Sequence, residues 1–196
     1  SGRCLTAVGQ KGAGAVLEGF TLTGGSETYG GGVYLVESSP TLIGCVITGN
    51  TASNRGGGVY VSNASPRFVD CEISLNTTVY GGGGIYSVSS SLDLEMCVVS
   101  GNVETAQSGS AEYGGGGLWI HGSAVLMSCE VSGNSASGPG GGINNNYGSL
   151  TLTDTVVSGN VASYNGGGIY QGSVSISGGS ISGNEASDGG GLYRCG

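Results

Sequence analysis

Apolar residues return along this chain in three fixed phases, separated by runs of glycine, serine and threonine. The first phase follows a triple glycine and falls at Val33, Val59, Ile85, Leu118, Ile143, Ile169 and Leu192. The second falls at Leu42, Phe68, Leu94, Leu126, Leu152 and Ile176, and the third at Ile47, Ile73, Val99, Val131, Val157 and Ile181. Beyond each member of the third phase stands an asparagine: Asn50, Asn76, Asn102, Asn134, Asn160 and Asn184. None of these runs has the spacing of an amphipathic helix, so each predicts a short extended segment. A fixed period of roughly 26 residues marks a solenoid, whose single units cannot bury their apolar side alone. Coils of that length, with two or three short strands and no helix, predict an all-β fold. The expected architecture is a parallel β-helix of about seven to eight coils, one domain over residues 1–196.

Stacking such coils about 4.8 Å apart gives each repeating position a column along a rod roughly 40 Å long. The three aliphatic columns should point inward. The glycines should supply turn conformations closed to other residues. The asparagines should tolerate left-handed geometry and bond side chain to side chain along the rod. Ala52, Ala136, Ala162 and Ala186 place a small residue at a tight corner. The interval from Ile85 to Leu118 is the longest, and its extra residues lie in the polar stretch Glu104–Glu112, expected to protrude as a loop.

Composition narrows the class. There are 44 glycines, yet no Gly-X-Y period and only 3 prolines, which argues against collagen. Thirteen acidic against five basic residues give a net charge of −8, which disfavours nucleic acid and anionic membranes as partners. Nothing approaches the ~18 consecutive apolar residues of a membrane span, so no membrane insertion is expected. No leader is visible at Ser1, and the sequence starts and stops inside its own repeat. It therefore reads as a segment of a longer chain or as a stacking subunit.

The pairing of Gly-Gly-Gly-Ile with Ile/Val-x-x-Asn in each repeat resembles the repeats of the chlamydial polymorphic outer-membrane proteins. More broadly it is similar to the right-handed parallel β-helix proteins of the pectin-lyase-like superfamily. The resemblance covers residues 16 to 196, although the chlamydial repeats favour Phe where this chain has Ile or Val. It implies a right-handed coil and a place among extracellular adhesins, surface proteins and carbohydrate-active enzymes.

Candidate chemistry is sparse. Cys45, Cys71, Cys97 and Cys129 share one column, two residues before the third aliphatic phase, while Cys4 and Cys195 lie near the ends. Six cysteines in a small, weakly charged chain suggest an oxidising compartment and disulfides, with Cys45–Cys71 and Cys97–Cys129 as the expected pairs. Cys71–Cys97 is the competing pair, and a column of buried free thiols is the alternative to both. No metal site is expected, since there is one histidine, no Cys-x-x-Cys, and a stack gives a line rather than a tetrahedron. Asp70, Glu72, Glu95, Glu130 and Asp154 form no acid–base cluster with nearby basic residues and read as solvated charge. His121 reads as a surface histidine, and the triple glycines lack the lysine of a phosphate loop. No catalytic residue and no cofactor site follow from these positions.

Two surface features remain. Tyr34, Tyr60, Tyr86, Trp119, Tyr170 and Tyr193 follow the first aliphatic phase, and alternation should turn them outward. Asn144 in the same column also suggests exposure. The row suits contact with a glycan or another protein, or else a self-supporting stack; Tyr29, Tyr80, Tyr113 and Tyr164 extend it. Asn63 and Asn76 begin glycosylation sequons, with Asn63 the more accessible. The expected function is a non-enzymatic structural or adhesive module, extracellular or on the cell surface. A carbohydrate-binding β-helix and the scaffold part of a glycan-cleaving enzyme are the alternatives. Its partners would be other surface proteins, polysaccharide, or copies of itself. In the last case head-to-tail stacking into a filament could be locked by a Cys195–Cys4 bridge.

Overall fold

The computed structural model describes residues 2–9, 14–106 and 108–196. It is a parallel β-solenoid of about seven turns, and no helix occurs among the described residues. After the first turn, whose strand is Leu5–Val8, each turn starts from a triple glycine with a strand such as Val33–Val36 or Val59–Ser62, bends, and resumes in a second run such as Thr41–Ile43 or Arg67–Val69. In three turns the two runs fuse into one strand: Ile85–Glu95, Leu118–Met127 and Ile169–Ser177. Both runs belong to the first sheet. A second sheet stacks Thr21–Thr23, Val46–Thr48, Glu72–Ser74, Val98–Ser100, Glu130–Ser132, Val156–Ser158 and Ser180–Ser182. A third holds the short strands that follow the asparagines, including Thr51–Arg55 and Thr77–Thr78.

Every pairing is parallel, and apart from shifts at Val88/Ser90 and Glu27/Tyr29 it runs in register, so like sits on like. Val33, Val59, Ile85, Leu118, Ile143 and Ile169 pair in sequence and are fully buried. Leu42, Phe68, Leu94 and Leu126 form a second buried column, and Ile47, Ile73, Val99, Val131 and Val157 a third. Leu192 departs from the expected stack: it pairs with Ile169 but is 42% exposed.

The triple glycine is required three times over. In Gly56-Gly57-Gly58, the first residue has φ of 69°. A side chain on Gly57 would strike the backbone carbonyl of Gly83 at 2.4 Å, and one on Gly58 would meet the Asn76 amide at 2.8 Å. The glycines therefore bring the start of the first sheet directly against the asparagine column.

That column is the polar counterpart of the core. The Asn76 side-chain amide donates to Asn102 Oδ1 at 3.0 Å and to the Ile47 carbonyl at 2.8 Å, while its backbone N–H reaches the same Oδ1 at 3.0 Å. The pattern repeats from Asn50 to Asn184. The asparagines themselves do not take left-handed geometry. Positive φ falls on the residue before each: Gly49, Gly101, Gly133, Gly159, Gly183 and, once, Leu75 at 55°.

All six cysteines are free thiols, which corrects the expected bridges Cys45–Cys71 and Cys97–Cys129 as well as the competing Cys71–Cys97. In-register neighbours hold their Cβ atoms about one strand spacing apart, ~4.8 Å, whereas a disulfide draws them to about 3.8 Å. The sulfurs instead donate to carbonyls: Cys71 to Leu42 at 3.4 Å and Val69 at 3.3 Å, Cys129 to Leu94 and Met127 at 3.4 Å. Cys4 and Cys195 are also unbridged.

Three substitutions test this account. Asn102→Ala removes the acceptor of the Asn76 backbone N–H, one of the two acceptors of the Asn76 side-chain amide, and the side-chain donor to the Ile73 carbonyl, and should lower stability by about 3 kcal/mol in urea unfolding. Asn184→Ala, in the half-buried last rung, should cost clearly less. Leu75→Gly relieves a left-handed side chain worth about 1–2 kcal/mol and gives back part of that in chain entropy. A net gain of about 0.5–1 kcal/mol is expected, read from the same unfolding curves.

Candidate functional site: the groove along the bend

The aromatic column forms, but turned differently from the sequence expectation. Tyr34, Tyr60, Tyr86 and Trp119 stack ring on ring, with centroids 5.3, 5.5 and 4.3 Å apart and planes within 12°. Their faces look along the rod, and each is covered by the next ring. The Arg3 guanidinium covers Tyr34 at 4.4 Å, and Tyr170 stacks on Tyr193 at 5.8 Å. Tyr86, Trp119 and Tyr170 are buried, while Tyr34, Tyr60 and Tyr193 are half-buried. Nor does the second row extend an open face: Tyr29 meets Tyr60 edge-on at 5.2 Å, and Tyr80 packs on Tyr113. The column is a self-supporting stack, because rings at the strand spacing satisfy one another's faces.

The long loop explains the deepest burial. Trp119 Nε1 donates to the Ala111 carbonyl at 3.0 Å, and Asn144 Nδ2 donates to Ala111 at 3.0 Å and Tyr113 at 2.6 Å. Asn144 is therefore fully buried as an anchor, not exposed. The loop lies down over the column instead of protruding. Its root is Glu104, in register with Ala136 and Thr78, and fully buried. The Glu104 carboxylate accepts from the backbone N–H groups of Ala106 at 2.7 Å and Gly138 at 3.0 Å. Burial raises its pKa from 4.5 to about 7, with those N–H donors opposing the rise.

The open polar surface lies elsewhere, at the bend between the two runs of the first sheet. A serine stands just past that bend in turn after turn: Ser39, Ser65, Ser91, Ser123, Ser149 and Ser173. The last four pair directly in register, and Ser39 Oγ accepts from the Ser65 backbone N–H at 2.8 Å. Ser123 donates to Ser91 Oγ at 3.1 Å. This hydroxyl column floors a shallow groove of about 630 Å³, lined also by Asn63, Ser89 and Gly122. A second hollow of the same volume continues along the bend between Tyr147, Gln171, Ser173 and Arg194.

The wall of the groove is built from strained backbone. Glu37, Asn63, Ser89, Tyr147, Gln171 and Arg194 all have φ between 50° and 62°. A left-handed residue with a side chain costs about 1–2 kcal/mol. At the corner before the asparagines the chain avoids that cost with glycine in all but one turn, yet here it places an acid, two amides, a hydroxyl, a phenol and a guanidinium. All but Gln171 are exposed. A second left-handed corner, at Asp70, Met96, Ser128 and Asp154, is also exposed and varied; the bend joins such strained side chains to a continuous hydroxyl column, which marks it as the candidate contact surface.

This groove was not singled out from the sequence. Its signal is a small-residue–serine pair behind a variable residue: Asn63-Ala64-Ser65, Ser89-Ser90-Ser91, Tyr147-Gly148-Ser149, Gln171-Gly172-Ser173. The phase is obscured where Gly122 pairs with Ser90 and the Trp119 turn skips the bend residue. Of the sequons, Asn63 stands exposed on the groove wall, whereas Asn76 is fully buried in the asparagine ladder and unavailable for glycosylation. His121 is exposed, 6.3 Å from the Trp119 ring. Glu72 and Glu130 accept from Ser74 and Ser132 on their own strands at 2.6 Å, while Asp93 and Glu95 come together on Arg67, Asp93 at 3.3 Å. Among the described residues no three His, Cys, Asp or Glu side chains converge as metal ligands.

In-register parallel sheets around an aliphatic core define a β-helix. A family model described as a right-handed β-helix region matches residues 6–186, and the chain belongs to that family. No curated protein and no solved structure gives a match.

The buried glutamate yields a pH test. An acid whose pKa is raised on folding favours its protonated form in the native state. Its contribution is therefore fully present below 4.5 and is lost as the pH rises to about 7. Unfolding midpoints should fall between pH 5 and pH 8 by an amount on the order of 2 kcal/mol. Glu104→Gln should flatten that part of the profile, and Trp119 fluorescence should report the loop above it.

Proposed function

We propose that this chain is a non-enzymatic structural or adhesive β-helix module, displayed outside the cell, with the bend groove as its contact surface. One observation carries the reading: the left-handed bend column holds a different side chain in almost every turn, while the columns inside the rod repeat one residue type. A rigid stack with a varied, grooved edge suits recognition of an extended partner lying parallel to the rod; the other left-handed corner, Asp70, Met96, Ser128 and Asp154, is varied as well but has no serine floor. Polysaccharide is the favoured ligand class within this proposal. The hydroxyl floor offers donors and acceptors at the strand spacing of about 4.8 Å, close to the length of one sugar unit. The aromatic column supports this use less well, since its ring faces are already taken.

A glycan-cleaving role would need an acid pair with nearby cations. The acids of the second sheet are separated by valines, in the column Val46, Glu72, Val98, Glu130 and Val156, and the one pair beside a cation, Asp93 and Glu95 on Arg67, is engaged in ion pairs and lines neither groove hollow. Head-to-tail stacking of copies is compatible with the rod and would involve the exposed Leu192 and Ile176.

A glycan array and a cell-binding assay with the purified chain test the proposal. Ser91→Trp fills the groove and Tyr147→Ala strips its wall; each should reduce binding at least tenfold while leaving the circular dichroism spectrum unchanged. Binding indifferent to both changes, or release of cleaved glycan by the chain, would overturn it.

A further inference from the structure

We propose that Arg55, on the tyrosine-lined flank that precedes the triple glycines, is the centre of a binding site for a singly charged oxyanion, a carboxylate or a sulfate ester carried by a partner molecule. This flank shares no residue with either hollow of the bend groove. Arg55 ends the strand Thr51–Arg55 and pairs in register with Tyr29. Asn54 Nδ2 donates to the Tyr29 hydroxyl at 3.2 Å, and the Tyr29 ring meets Tyr60 edge-on at 5.2 Å. The Arg55 carbonyl accepts from the Gly30 N–H, and the equivalent acceptor one turn on is Gly81, bonded to the Gly56 N–H. A Cβ on Gly81 would lie 3.6 Å from Tyr86 and 3.5 Å from Trp119. With no side chain there, the Arg55 guanidinium runs up the stack to 4.9 Å from the centre of the Tyr86 ring.

The other arginines are satisfied. Arg3 donates to the Tyr29 carbonyl at 2.9 Å and the Gly30 carbonyl at 3.3 Å and lies 3.9 Å from Glu27. Arg67 pairs with Asp93 and Glu95, and Arg194 stands exposed to water. Arg55 is half-buried, yet it forms no ion pair and donates no hydrogen bond among the described residues. Its Nε is buried without an acceptor, which leaves the outer Nη end of the fork as the open part. Burial pushes the Tyr60 and Tyr86 phenols above their ordinary range, so neither ring supplies a negative charge. A guanidinium taken out of water needs acceptors for its planar set of donors. An oxyanion offers two oxygens to that fork, and the tyrosine rings beside it suit the apolar carbon behind the anion. A chain of net charge −8 repels a dianion more strongly than a monoanion, which favours a carboxylate or a sulfate ester over phosphate.

The test is an NMR titration of the full, nitrogen-labelled chain at near-neutral pH, following the arginine Nε–H resonances and the indole N–H of Trp119, which stacks on Tyr86 at 4.3 Å. The probes are sodium acetate, sodium methyl sulfate and sodium sulfate, with sodium chloride at matched ionic strength as the control. The Arg55 resonance, assigned by its loss in Arg55→Lys, should shift saturably with acetate or methyl sulfate and not with chloride. The tighter of the two names the partner's group as carboxylate or sulfate ester. Followed through the indole signal, Arg55→Lys keeps the charge but not the fork and should weaken binding at least tenfold. Arg55→Gln should abolish it, and Arg194→Gln should leave it unchanged. Arg55 gives up no protein acceptor in either variant, so both should keep the wild-type circular dichroism spectrum. An Arg55 resonance that does not saturate, or a response that chloride reproduces, would overturn the proposal. So would wild-type binding by Arg55→Lys, or sulfate dianion bound more tightly than both monoanions.

Discussion

Everything in this molecule depends on the asparagine ladder and the register it enforces. Each rung donates its side-chain amide to the next asparagine's Oδ1 and to a carbonyl of the turn behind, and its backbone N–H to that same Oδ1. A slip of one residue would leave all three groups buried and unpaired, which costs about 1–3 kcal/mol for each. Register in a parallel stack is otherwise held only by apolar columns, which tolerate exchange among Val, Ile and Leu. The ladder thus sets the register, and the aliphatic columns supply the burial.

Fixed register has a consequence for variation. An inward position must match its neighbours one strand spacing above and below, so columns converge on one residue type. Outward positions in the sheets are only partly released, because rings, hydroxyls and carboxylates there find partners in the adjacent turn or strand. The corners are freer. Where the backbone turns at the groove, the side chain points away from the stack, and local strain is supported by the continuous sheet on both sides. Chemical variety collects there for that reason.

The long loop shows the opposite case, in which an insertion becomes part of the fold. A buried carboxylate replaces the small corner residue, gathers the backbone N–H groups of the loop and of the neighbouring turn, and brings Ala111 and Tyr113 down onto Trp119 and Asn144. Asn144 breaks the aromatic stack because its amide is needed as an anchor. A polar residue in an aromatic column therefore marks a covered position here, not an open one.

Much was legible in the sequence because stacking is a one-dimensional operation. A period, three aliphatic phases and an asparagine column suffice to name the coil, the inward residues and the ladder, and the triple glycines mark where the backbone runs tight. The sequence could not show which way a surface column faces once its neighbours are in place. Stacked rings hide one another's faces, and that depends on the strand spacing and on a loop distant in sequence. Nor could it show that the cysteines remain thiols, since the decision turns on a difference of about 1 Å between strand spacing and disulfide reach. The serine groove stayed hidden because its phase is interrupted at the Trp119 turn, and only paired strands restore its alignment. Periodicity determines what stacks on what, and three-dimensional packing decides what is left for a partner to touch.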